Sequence, residues 1–79
     1  MKLYLLTQDE SRNYDAYDSC VVVAPTAGKA RKIRPSPYGE WGDDSTWAKS
    51  PANVTVKFIG TAAKGLKEGL VVCSSFNAG

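Results

Sequence analysis

The chain has 79 residues, with ten Lys and Arg against eight Asp and Glu, a net charge of +2, and no histidine. That length allows one small domain with a narrow stability margin, and so near-neutral a balance argues against a dedicated nucleic-acid binder, whose pI usually exceeds about 9. The missing histidine removes the usual general base, the usual zinc ligand and the common activator of a Ser or Cys nucleophile.

In chain order, Lys2 to Thr7 predicts a first strand, with Leu3 and Leu5 on one side and Tyr4 and Leu6 on the other. The polar stretch from Gln8 to Asn13 joins it to a second strand over Tyr17 to Ala24, whose Cys20-Val21-Val22-Val23 is apolar on both faces. The two read as a hairpin. Pro25-Thr26 ends the second strand, and Thr26 can N-cap a short helix that carries Ala27, Ala30 and Ile33 toward the sheet and stops at Pro35. On such a helix Lys29 and Lys32 share one flank, ~60° apart, and Arg31 and Arg34 share the other.

Residues 35 to 52 hold Pro35, Pro37, Gly39, Gly42 and Pro51 without a sustained period, and predict a loop of about 16 to 18 residues, long for so small a domain. Val54 to Thr61 alternates again, predicting a strand with Val54, Val56 and Phe58 inward and Thr55 and Lys57 outward. A turn over Ala62 to Glu68 leads to a last strand, Leu70 to Phe76, that runs nearly to Gly79 and predicts a complete single domain over 1–79. The expected fold class is α+β: an antiparallel sheet of about four strands with one short helix on one face, in β-β-α-β-β order, with one long loop.

The longest apolar run is far below the roughly 18 residues of a membrane helix, and Gln8-Asp9-Glu10 follows Met1-Lys2 too soon for a signal-peptide core. A cytoplasmic protein without a membrane span is expected. Cys20 and Cys73 lie inside apolar runs and read as buried free thiols, a disulfide between neighbouring strands being the alternative. Neither has a CxxC partner or a neighbouring cation to lower its pKa.

The acidic pairs Asp9/Glu10, Asp15/Asp18 and Asp43/Asp44 read as solvated turn and capping residues, with no calcium-loop spacing. No glycine pattern suited to nucleotide phosphates follows a strand. No enzyme activity, cofactor or metal is therefore expected, and the candidate surface is one of binding.

Lys29, Arg31, Lys32 and Arg34 place four cations within six residues, beside Tyr38 and Trp41. Such a cluster can grip an acidic protein surface or phosphates, or it can be a helix face solvated and balanced by the acids of the neighbouring hairpin. Trp41 and Trp47 suit either a small core or an interface. One of them is expected to pin the loop to the sheet, with Trp41, between Gly39-Glu40 and Gly42, the better candidate for exposure.

The opening Met1-Lys2-Leu3-Tyr4-Leu5-Leu6-Thr7-Gln8, then Tyr14-Asp15-Ala16-Tyr17-Asp18-Ser19 with Val21-Val22, Ala30-Arg31-Lys32-Ile33 with Pro35, Trp47 with Pro51, Val54-Thr55-Val56 running into Ile59-Gly60-Thr61-Ala62, and the ending Ser75-Phe76-Asn77-Ala78-Gly79 cover most of the chain. As a set they resemble a family of small uncharacterised bacteriophage and prophage proteins. Many members show a histidine near position 34, where this chain has Arg34.

The resemblance implies a phage or prophage origin and residence in the host cytoplasm. By analogy with other small phage proteins that lack catalytic residues, it implies an inhibitor of host defence such as an anti-CRISPR protein, which would bind a subunit of a type I effector and block target DNA. The alternative is a small accessory protein that binds nucleic acid through the basic helix. A monomer or a weak homodimer is expected.

Overall fold

The computed structural model describes residues 1–9, 16–35, 41 and 47–77. Within them lie β1 (Lys2–Thr7), β2 (Ala16–Ala24), α1 (Ala27–Ala30), a 3-10 turn (Pro51–Asn53), β3 (Thr55–Thr61) and β4 (Val71–Asn77). The expected α+β architecture is present: one antiparallel sheet of four strands in the order β3-β1-β2-β4, with one short helix, and a 3-10 turn added before β3. Of the long loop expected over 35–52, residues 36–40 and 42–46 lie outside the described residues.

Alternation along β1 decides which face is the core. Tyr4 stands opposite Val22 on β2 and Phe58 on β3, and Leu6 stands opposite Cys20 and Val56. Directly opposed residues share a face, so these rows stack Tyr4, Leu6, Cys20 and Val22 into one apolar layer. Ala30, Trp47, Ala48 and Val54 close over it, and the result is a single buried cluster. Full burial of a side chain such as Leu6 or Val22 is worth about 1.5–3 kcal/mol.

The opposite face carries Leu3, Leu5 and Val21, which are only partly covered. Val23 on that face is fully buried. There the chain leading into β4 bonds to it, with Gly69 donating its N–H to the Val23 carbonyl and Leu70 accepting from the Val23 N–H, both at 2.9 Å.

Three local differences from the sequence expectation have physical causes. The helix is a single turn and stops at Ala30, not Ile33. Thr26 caps it as expected, its hydroxyl accepting from the Lys29 N–H at 3.2 Å. Beyond Ala30 the bonds tighten: Lys32 N–H donates to the Lys29 carbonyl at 3.2 Å and Ile33 N–H to Ala30 at 3.0 Å. Pro35 lacks the N–H that would continue the ladder and disfavours helical geometry at Arg34, so the end of the segment settles into 3-10 turns.

The second difference is at β3, which starts at Thr55 because the Val54 N–H is already committed to the Pro51 carbonyl at 3.2 Å. The third is Phe58. It sits on the core side, edge-on to Tyr4 with ring centroids 5.9 Å apart, yet it is 56% exposed. An edge strand has a neighbour on one side only, so the inward face of its side chain is covered and the outer one is not.

Two edge-strand bulges complete the sheet. Leu3 pairs with Gly60 while Tyr4 pairs with Phe58, leaving Ile59 as an extra residue on β3. Val21 pairs with Cys73 while Val22 pairs with Val71, leaving Val72 as an extra residue on β4. The chain from β3 to β4 crosses from one edge to the other past the end where β1 begins and β2 finishes. It is tied there by the Ala62 N–H to the Met1 carbonyl at 3.1 Å and by the Gly69 bond.

Candidate partner-binding surface

The short helix positions the cation cluster. Ala30 is fully buried and seats α1 against β1, β2 and β3, which turns Lys29 and Lys32 outward, both exposed, and leaves Arg31 partly exposed. Because the helix ends after one turn, the expected flank of Arg31 with Arg34 does not form on a common cylinder. Arg34 lies in the extended exit toward Pro35, its guanidinium carbon 5.8 Å from the ring centroid of Trp41.

Trp41 is partly exposed and packs against the core cluster, whereas Trp47 is buried at its centre with 1% of its surface exposed. The tryptophans therefore divide their work. Trp47 fills the space over the sheet, and among the described residues its buried indole N–H has no acceptor, a cost of about 1–3 kcal/mol that is outweighed by the apolar area of an indole. Trp41 stands at the margin and offers its ring to Arg34. A cation held over an aromatic ring gains about 0.5–1 kcal/mol at an exposed site, and the contact orders Arg34 beside Arg31 and Lys32. Tyr38, the remaining candidate, lies outside the described residues, as do Asp43 and Asp44.

The cysteines are both free but not both buried. Cys20 is buried on the core face, and burial, with a smaller contribution from Cys73, pushes its thiol up to about 12. Cys73 is exposed, contrary to the expectation from its apolar neighbours. β4 has a partner on one side only, and Cys73 shares the open face with Val21. A disulfide between them is ruled out by register: Cys20 opposes Ser74 and Cys73 opposes Val21, so the two side chains leave the sheet on opposite faces.

Three exposed apolar residues escaped the sequence reading: Ile59 (46% exposed), Leu70 (42%) and Val72 (48%). Ile59 and Val72 are the bulge residues. The available signal was the unbroken apolar runs Phe58-Ile59 and Leu70-Val71-Val72-Cys73, which a strand covered on one face cannot bury completely. Among the described residues no group of three or more His, Cys, Asp or Glu is placed to hold a metal ion, and no helix is long and apolar enough to cross a membrane.

No family model, no curated protein and no solved structure matches this chain.

Proposed function

We propose that this protein works by stoichiometric binding rather than catalysis, and that it meets an acidic protein surface with Lys29, Arg31 and Lys32 beside the Arg34–Trp41 stack. The observation that carries this reading is the projection of Lys29 and Lys32 from a helix whose one buried residue is Ala30, next to an aromatic ring already engaged by a cation. Exposed cations set around a rigid aromatic group are a common interface arrangement. The absence of histidine from the whole sequence supports a non-enzymatic role.

The narrower reading rests on the resemblance to small phage proteins and on analogy: an anti-CRISPR inhibitor that occupies the DNA-receiving surface of a type I effector in the host cytoplasm. The second reading is a nucleic-acid-binding accessory protein, favoured by four cations between Lys29 and Arg34 with no acid among them. Four phosphate contacts would give that protein a log–log salt slope of about −3.6 on duplex DNA.

The test is a pull-down with tagged protein from a bacterial lysate containing a type I effector, with and without nuclease, followed by a gel shift of target DNA. Capture of the effector that survives nuclease and prevents DNA binding is the expected result. Recovery of nucleic acid alone, lost on nuclease treatment or added salt, would overturn the inhibitor in favour of the accessory protein. Combined Lys29→Glu, Arg31→Glu and Lys32→Glu should reduce capture at least tenfold with an unchanged circular dichroism spectrum; full capture by that variant would remove this surface from the proposal. Arg34 is left intact in the variant because its contact with Trp41 also serves the fold.

A further inference from the structure

The four strands are not equivalent in charge. β1 carries Lys2, β2 carries Asp18 and β3 carries Lys57, while β4, Val71–Asn77, carries no charged residue and no proline. β4 is also an edge strand: it pairs with β2, and among the described residues no strand pairs with its other side. Val72, Cys73, Ser74 and Ser75 are all exposed.

Edge strands present a row of unpaired backbone donors and acceptors, which proteins usually blunt with lysine, proline or bulges. The other edge is blunted in this way. Lys57 stands near the middle of β3 and Ile59 bulges beside it. On β4 the extra residue is Val72; the second register shift against β2, between Tyr17 and Ser19, leaves its extra residue, Asp18, on β2, and Cys73, Ser74 and Ser75 of β4 are uncharged and exposed.

We infer that the free edge of β4 is an interface for a second copy of this chain, paired antiparallel across a two-fold axis to join two four-stranded sheets into one. The occupant follows from charge. Two molecules of net charge +2 repel as a whole, and β4 is the one strand where identical edges meet without opposing like charges; the same pairing through β3 would bring two copies of Lys57 together. The two-fold pairing is also closed, because it consumes both β4 edges and leaves outside only the β3 edges.

Beyond Val72, the midpoint of what remains of β4, from Cys73 to Asn77, is Ser75, which the axis sets against Ser75 of the second copy. Strand pairing alone buries an area at the low end for protein interfaces, so the dimer is weak and concentration-dependent.

The experiment is sedimentation velocity over a wide concentration series, with hydrogen exchange by mass spectrometry at the extremes of the series. The expected result is a reversible dimer, with amides of β4 gaining protection as concentration rises and amides of β3 unchanged. Ser75→Lys and Ser75→Glu, at an exposed position, should each weaken self-association several-fold by setting like charges face to face. Their equimolar mixture should recover it. A protein that stays monomeric at every concentration, a dimer protected along β3 instead of β4, or a mixture of the two charge variants that fails to recover the dimer would each overturn the inference. Because the readout is self-association, it is independent of whether the cation surface binds an effector.

Discussion

At the scale of single residues, the two cysteines show how position within one sheet assigns chemistry. Cys20 sits on the covered face with its thiol pushed up to about 12 from 9.0; Cys73 sits on the open face of an edge strand. In the native protein one thiol should react with a water-soluble disulfide reagent, and a second should appear only on unfolding. The raised pKa of Cys20 also links stability to pH. An unfolded chain would release the proton from near pH 9.0 and the folded one from about 12, so the stabilisation is complete below pH 9.0 and is lost as pH rises toward 12. The limiting slope is about 1.4 kcal/mol per pH unit for one group. Urea midpoints across that window should show the advantage of the native protein over Cys20→Ala shrinking as pH rises; a constant difference would mean that burial does not hold the thiol neutral.

At the scale of elements, the departures from the sequence reading all occur where a local rule met a neighbour. Ala30 and Ile33 pointed to the right face, and Thr26 to the right cap, but Ala27 is exposed rather than turned to the sheet, and Pro35 reached back to shorten the helix. Alternation in β3 placed Phe58 on the correct side, but only knowledge that β3 is an edge explains its exposure. The link between β3 and β4 gives a test of local geometry. Gly65 and Gly69 have φ of +97° and +90°, a region that L residues avoid, whereas Gly28 in α1 has ordinary backbone and open space around a built Cβ. Gly69→Ala should cost about 1–2 kcal/mol in chemical denaturation, its N–H being fixed to Val23. Gly28→Ala should add up to about 0.5–1 kcal/mol. Equal effects of the two substitutions would contradict the backbone assigned to the link.

At the scale of the whole molecule, the strand order β3-β1-β2-β4 makes the two edges from the third and fourth strands, and these differ in what they present. Lys57→Val would remove the charge from one edge and offer a second open strand to a molecule already open along β4. Light scattering should then report growth beyond the dimer, and adding Ser75→Lys to that variant should reduce it. Scattering no different from the unmodified protein would show that Lys57 does not guard the β3 edge. By itself the sequence determined the four strands, the cap at Thr26, and the cation cluster between Lys29 and Arg34, because alternation, capping and charge are written in residues close together along the chain. Tertiary structure decided which strands became edges, and through that the exposure of Cys73, Val72 and Phe58. It also drew Arg34 onto Trp41, whose greater exposure than Trp47 its glycine-flanked position had already indicated. These outcomes depend on which distant segments become neighbours, and pairing across the sheet is set by the combined burial of all strands rather than by the pattern of any one.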